Sequence, residues 1–186
     1  MMPTRCDAGR PLVVGLGSPD RGDDAVGPVI ARHVGAASSG VQVVEREDPT
    51  SLIELWCERE LAIVADAVRS NGTPGTVMIV ECGVGGAPLT DDAWARTGRG
   101  GTHAFGLGAA VELARALNRL PRRLVLIGVE AGCFEYGYPL SPSVRAAVGP
   151  AVEAVLAVLD GAGGLPRDGL DRSGGGGPGC RTEAGP

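Results

Sequence analysis

The chain has 186 residues, a formal net charge of -5 at pH 7 and 17 basic residues, all of them arginine. This length fits one domain with its own core, the negative charge argues against nucleic acid as a partner, and the missing lysine excludes a P-loop lysine, a Schiff base and a lysine general base. No apolar run reaches the roughly 20 residues of a membrane span, and the N-terminus has no apolar signal core, so we expect a cytoplasmic protein without membrane attachment. The five cysteines form no CxxC pair, so we expect neither disulfides nor a structural zinc site.

The first part of the chain alternates short apolar runs with amphipathic stretches. Residues 11–17, 41–46 and 61–68 predict strands, and the first and third are apolar enough to be covered on both faces. The stretch from residue 23 to 34 predicts a helix with Asp23 or Asp24 as its N-cap. Residues 49–59 predict a second helix that begins near a proline. This alternation indicates an α/β fold.

The second part predicts two more strands and two more helices. The strands are expected at 75–81 and 122–130, and the helices at about 103–118 and at 142–160, the latter with Ser141 as its cap. Only six residues separate the third and fourth strands, which is too short for a parallel crossover, so these strands should run antiparallel.

The end of the chain differs in composition from the rest. Ten of the last 26 residues are glycine, and no amphipathic face can be drawn through them. Such a segment cannot bury enough apolar surface to offset its ordering entropy. We therefore expect one α/β domain over residues 1–160 and a glycine-rich, disordered tail over residues 161–186.

The turn "GLGSPDRGDD" after the first strand has the appearance of a phosphate-binding loop. A dinucleotide fingerprint requires a third glycine, but Asp20 stands in that place. Three carboxylates, those of Asp20, Asp23 and Asp24, also stand where a helix N-terminus would otherwise attract an anion. The turn therefore suits a cation better than a nucleotide, which stays as a minor alternative.

Two acids and one histidine are candidates for a metal site. Asp24 follows the first strand, and Asp66 interrupts the apolar third strand near its carboxyl end, where an unpaired charge is costly to bury. His103 stands at the predicted start of the third helix. Each residue also has an ordinary explanation, as a turn or cap aspartate or as a histidine near a helix end. If the three side chains meet, they form an open site for a transition metal.

Four segments, taken in order, resemble the hydrogenase maturation endopeptidases over about residues 11–160: "GLGSPDRGDDAVGP", "IVADAV", "GTHAFGL" and "LIGVEAGCFEYGYPLSPSV". Asp24 matches the metal-binding acid of the family pattern G-x-G-N-x-x-x-x-D-[DE]-x-x-G. Asp66 matches the acid of the family's "ADA" motif, and His103 the histidine after its long loop. The resemblance implies a twisted, mostly parallel five-stranded sheet with helices on both faces and one antiparallel strand.

The same resemblance implies that the chain removes a C-terminal peptide from the large-subunit precursor of a nickel-iron hydrogenase. Nickel held by the precursor's own cysteines would then contact Asp24, Asp66 and His103, and another divalent metal can substitute for it. Glu47 is the candidate general base, so that Glu47, Asp24 and Asp66 form the expected catalytic group. Activation of water by the metal itself is the other mechanism. We expect a monomer.

Two departures from the family pattern bear on the activity. Ser18 replaces the asparagine that follows the second glycine, and "EDPT" at residues 47–50 replaces a D-G-G-T stretch. Asp48 and Pro49 in place of two glycines stiffen that loop. This change motivates an alternative function, a non-catalytic, nickel-sensing maturation chaperone of the same fold.

Overall fold

The computed structural model describes residues 9–86, 89 and 106–162, which form one sheet between two layers of helices. The elements are, in chain order, β1 Leu12–Leu16, α1 Val26–Ala37, β2 Gln42–Arg46, α2 Leu52–Leu55, β3 Leu61–Val68, β4 Val77–Cys82, α3 Leu107–Ala116, β5 Arg123–Glu130 and α4 Pro142–Ala162. Short 3-10 turns, Gly22–Ala25 and Pro49–Ser51, lead into α1 and α2. His103 and residues 163–186 of the predicted tail lie outside the described residues.

The sheet has the strand order β2-β1-β3-β5-β4. The first four of these strands are parallel, and β4 pairs antiparallel with β5, which confirms the expected fold class. β3 and β4 run in opposite directions, as predicted, but they are not neighbours, because β5 lies between them. The connection from β3 to β4 crosses the end of β5, where the Gly75 N–H donates to the Glu130 carbonyl (2.8 Å).

Both faces of the central strands are buried. Every residue of β1 and β3 is buried, as their mostly apolar sequences predict, and this includes Asp66 within β3. Helices α1 and α4 cover one face, where Ile30 and Val155 join the core. The other face packs against α2 and α3, with Trp56 and Leu107 fully buried. The helices therefore cover both faces of the sheet and leave the carboxyl ends of its strands for a site.

Helix α4 is, within the described part of the chain, the one helix long and apolar enough to cross a membrane by length and composition, with a mean hydropathy of 1.4. Arg145 and Glu153 interrupt its sequence, so the helix contains no continuous apolar run of that length. Its apolar residues have a partner in the fold, since Val144, Ala151 and Val155 are fully buried in the core beside α1. The helix shows the pattern of an amphipathic core helix.

Several predicted boundaries are wrong for local reasons. Neither Asp23 nor Asp24 caps α1, which begins at Val26 after the 3-10 turn and has no side-chain cap. The helix predicted at 49–59 is only a 3-10 turn followed by α2, and Glu58 has a positive φ of 61° beyond it. Gly106 is extended, so α3 begins at Leu107. Helix α4 continues two residues into the predicted tail.

Candidate functional site

A cleft of about 150 Å³ opens at the carboxyl ends of β1 and β2. The structure brings Asp24, Glu47 and Asp66 to this one cleft, where Arg21 and Tyr136 also line the wall. The crevice beyond the carboxyl ends of parallel strands is the usual ligand site of such sheets. Three of the four sequence-predicted site residues therefore share a location, and the fourth, His103, falls outside the described residues.

Asp66 reaches the cleft because β1 is shorter than β3. The last pair between these strands is Gly15 with Ala65, whereas Asp66 is still paired with Gly128 of β5. Asp66 thus lies beside the open end of β1, two residues before the end of β3. It is only 3% exposed, and its Oδ2 atom is buried without a hydrogen-bond partner among the described residues.

Burial raises the pKa of the Asp66 carboxyl well above its usual value. The negative charge of Asp24 raises this pKa further, while the Ala67 N–H acts in the opposite direction. A buried carboxylate oxygen without a donor is costly. Asp66 therefore offers an unsatisfied oxygen to any cation or hydrogen-bond donor that enters the cleft.

Asp24 is held in the Gly22–Ala25 turn and faces the same space. Its Oδ2 atom accepts a hydrogen bond from the Ser18 N–H (3.0 Å). Burial raises the pKa of Asp24, the Ser18 N–H and the Arg21 guanidinium lower it, and the Glu47 charge raises it. The Ser18 contact uses a backbone donor, so serine in place of the family's asparagine leaves it intact.

The "EDPT" loop forms a capped turn that places Glu47 and Pro49 at the cleft. The Asp48 carboxylate accepts from the Thr50 N–H (2.9 Å) and from the Thr50 hydroxyl (2.5 Å), and Pro49 takes the first position of the 3-10 turn. Aspartate at the N-cap followed by proline is a favoured helix start. Asp48 and Pro49, which stand where the family pattern has two glycines, therefore fix this turn, and Glu47 stays exposed beside it.

Asp23, the neighbour of Asp24, has a different environment. It is fully buried, and its carboxylate accepts from the backbone N–H groups of Gly132 (3.0 Å), Cys133 (2.9 Å) and Ser141 (2.7 Å) and from the Ser141 hydroxyl (3.1 Å). Burial raises the pKa of Asp23, but these hydrogen bonds outweigh it and hold the pKa below its usual value. Asp23 therefore fixes the loop between β5 and α4, and Ser141 donates to it instead of capping α4 through its side chain as predicted.

The chain is similar to known proteins in both sequence and fold. The model of the hydrogenase maturation protease family matches residues 47–158. The chain belongs to this family. It is 31% identical over 168 residues to the hydrogenase 2 maturation protease of Escherichia coli K12, covering 87% of this chain and 98% of that one.

Solved structures of hydrogenase maturation proteases share the fold. The hydrogenase maturating endopeptidase HybD from E. coli superposes with a TM-score of 0.66 at 28% identity, over 83% of this chain and 94% of that one. A [NiFe] hydrogenase maturation protease HybD from Thermococcus kodakarensis gives 0.58 at 23% identity, over 80% and 98%, and supports the fold alone. The chain is thus a peptidase of hydrogenase maturation.

The described donors of this hydrogenase maturation protease do not make a complete metal site by themselves. Among residues 9–86, 89 and 106–162, no three His, Cys, Asp or Glu side chains are grouped closely enough to hold a metal ion. Asp24 and Asp66 supply two neighbouring carboxylates, and the predicted third ligand, His103, remains a prediction.

Burial raises the pKa of the Cys82 thiol to about 11, which makes that thiol a poor nucleophile at neutral pH.

Proposed function

We propose that this hydrogenase maturation protease acts in the cytoplasm and removes a C-terminal peptide from the large-subunit precursor of a nickel-iron hydrogenase after nickel insertion. The observation that supports this most is the buried Oδ2 of Asp66, which lies beside the Asp24 carboxylate and has no hydrogen-bond partner in the part of the chain that the structure describes. Two close carboxylates repel each other and are stabilised by a shared cation. The Asp24 and Asp66 carboxylates would therefore bind a cation carried by the substrate, and in this way recognise a metal-loaded substrate.

The donor set suits nickel that is already held by thiolates of the precursor. Asp24, Asp66 and His103 would add oxygen and nitrogen ligands to it, and imidazole and carboxylate are accepted by divalent transition metals. When bound, the metal supplies charge that polarises a nearby carbonyl group. The nickel is part of the substrate in this proposal, and another divalent metal can take its place in binding experiments.

The direction of α3 supports His103 as the third donor. Only residues 117–122 separate the end of α3 from β5, and β5 starts at the amino edge of the sheet. The N-terminus of α3 therefore points to the opposite, carboxyl edge, and α3 also packs against the Pro49–Ser51 turn near the cleft. His103 precedes Leu107 by four residues, which span at most about 14 Å.

Glu47 is the proposed general base. It is exposed at the mouth of the cleft, so water reaches it, and it faces the carboxylate pair without being buried with it. In this role its carboxylate takes a proton from the attacking water while the new C–O bond forms. The C–N bond then breaks, and the proton passes to the leaving amine.

The test is incubation of the purified chain with a nickel-loaded precursor and with the same precursor stripped of nickel, followed by intact-mass measurement. The proposal predicts a shortened product from the loaded precursor only, and no product with Asp66→Asn. A chaperone of the same fold would bind the precursor and leave its mass unchanged. Cleavage of both precursors at equal rates would contradict the role of nickel, and no cleavage of either would contradict the choice of substrate.

A further inference from the structure

The loop between β5 and α4, residues 132–141, is anchored to the same turn that carries Asp24. Besides the hydrogen bonds to Asp23, the Gly22 N–H donates to the Tyr138 carbonyl (3.1 Å) and the Gly137 N–H to the Asp20 carbonyl (2.8 Å). These contacts, spread along the loop, give it a fixed position relative to the cleft. Side chains on the loop are therefore presented to a ligand in a defined geometry.

The loop exposes two tyrosines with different relations to the cleft. Tyr136 is 72% exposed and lines the cleft, whereas Tyr138 is 63% exposed and does not. The Arg21 guanidinium lies over the Tyr136 ring, with 5.1 Å between its Cζ atom and the ring centroid. Exposed aromatic rings fixed beside a site are frequent anchors for bound polypeptides.

The Arg21 guanidinium is also incompletely satisfied. Its Nε atom is buried and has no hydrogen-bond partner among the described residues. Among the described residues that line the cleft, Arg21 is the one cation, and the ionisable side chains around it are Asp24, Glu47 and Asp66. An acidic ligand would be repelled by the three acids. A neutral carbonyl oxygen can accept from the guanidinium without this penalty.

We propose that Arg21 and Tyr136 form the wall of the cleft that binds the precursor polypeptide next to the scissile bond. The guanidinium donates to a peptide carbonyl oxygen, and the free face of the Tyr136 ring packs against an apolar side chain of the precursor. This inference rests on the proposed function, since it assigns the peptide subsite of the same cleft. Both residues are positioning and specificity residues, and the bond cleavage itself is left to the acids.

The test compares Tyr136→Ala with Tyr138→Ala. Both substitutions remove the whole ring of an exposed tyrosine from the same loop. Tyr136→Ala should raise KM for the nickel-loaded precursor about tenfold and leave kcat within about twofold, while Tyr138→Ala leaves both unchanged. Tyr136→Phe, which keeps the ring, should restore a KM close to the wild-type value. Melting curves check that all three variants fold.

Calorimetric titration of the nickel-loaded precursor into each variant, with Glu47→Gln added to every chain so that the proposed general base is absent, measures the same binding while cleavage is suppressed. The inference predicts about tenfold weaker binding for Tyr136→Ala alone. An unchanged Kd and KM for Tyr136→Ala, or equal losses with Tyr138→Ala, would overturn it while leaving the proposed function intact. A wild-type chain that neither binds nor cleaves the precursor would overturn both.

Discussion

Asp23, Asp24 and Asp66 lie close together but differ in how their oxygens are satisfied. Asp23 accepts four hydrogen bonds, Asp24 accepts one from Ser18, and one oxygen of Asp66 accepts none among the described residues. Hydrogen bonds to a carboxylate lower its pKa, and burial without them raises it. The same residue type therefore serves as a structural anchor at one position and is left with an unsatisfied oxygen, which we propose binds a cation, at another.

Asp66→Asn should stabilise the metal-free protein while abolishing cleavage. Because the folded-state pKa of Asp66 is raised above its usual value of 3.8, the folded state holds the proton more tightly than the unfolded state does. The free energy of unfolding of the wild type therefore falls as pH rises through the window above 3.8. Asparagine does not titrate, so the gain in the free energy of unfolding of Asp66→Asn over the wild type should be small near pH 4 and larger at pH 7.

Thermal melts in the presence of a chelator measure this effect. We expect a rise in Tm of roughly 2–6 °C at pH 7 for Asp66→Asn. A lower Tm at pH 7, or an advantage that shrinks as pH rises, would show that the Asp66 carboxylate is satisfied in the folded protein.

Asp23→Ala should destabilise the fold strongly. It leaves three backbone N–H groups and the Ser141 hydroxyl, all in partly buried hydrogen bonds, without their acceptor, at a cost of about 2–4 kcal/mol in the free energy of unfolding. Asp20→Ala is the matched control, because Asp20 is exposed and contributes its backbone carbonyl to the same loop; its effect should stay within about 0.5 kcal/mol. Urea unfolding of both variants gives the comparison, and similar values for the two would refute the anchoring role of Asp23.

At the scale of elements, the close contact between α1 and the sheet places the turn that carries Asp24. A Cβ atom added at Gly27 would lie 2.2 Å from the Leu16 carbonyl oxygen and 2.4 Å from that of Ala65. The helix therefore approaches both β1 and β3 through a glycine. A dinucleotide-binding loop uses its third glycine for such close packing; here Gly27, inside the helix, performs this task.

Gly27→Ala should therefore cost about 2 kcal/mol or more of stability, because backbone atoms of two strands would have to move. Gly149→Ala in α4 is the control, since an added methyl group there meets nothing within 4 Å. That substitution should stay within about 0.5 kcal/mol of the wild type, because the helix propensity of alanine is opposed by the crowding of its Cβ against the ring of Pro150, the next residue. Chemical denaturation distinguishes them, and a neutral Gly27→Ala would contradict the close contact.

Most strands and helices can be predicted from sequence patterns, and the features that cannot have physical reasons. The seven apolar residues of β3, interrupted by Asp66, predict its bounds correctly, because a strand buried on both faces is rich in apolar residues along its whole length. The insertion of β5 between β3 and β4 depends on long-range pairing, which local patterns do not contain. The Asp23–Asp24 pair predicts an N-cap, yet tertiary contacts with the β5–α4 loop take the Asp23 oxygens.

At the scale of the whole molecule, the cleft combines distant parts of the chain. Asp24, Glu47, Asp66 and Tyr136 come from four different connections or strands. Sequence motifs identified the first three because the family pattern marks them. Tyr136 lies in the fourth matching segment, but the sequence does not distinguish it there as a site residue, and only the fold shows that its loop returns to the first turn.

The C-terminal segment offers a prediction at the same scale. Deletion of residues 163–186, which begins just after α4, should change Tm by less than about 2 °C and leave cleavage unaffected, because the glycine-rich sequence offers little apolar surface to bury. Melting and cleavage assays on the truncated chain test this. A loss of several degrees would show that the segment docks on the domain.

We propose that this cleft binds a divalent metal through Asp24, Asp66 and His103, while Glu47 acts on water. Calorimetric titration of nickel into the purified chain tests it most directly. We predict that Asp24→Asn, Asp66→Asn and His103→Ala each weaken nickel binding by at least about tenfold, whereas Glu47→Gln leaves it within about threefold. Equal affinity in the wild type and in the first three variants, or an equal loss with Glu47→Gln, would contradict the account.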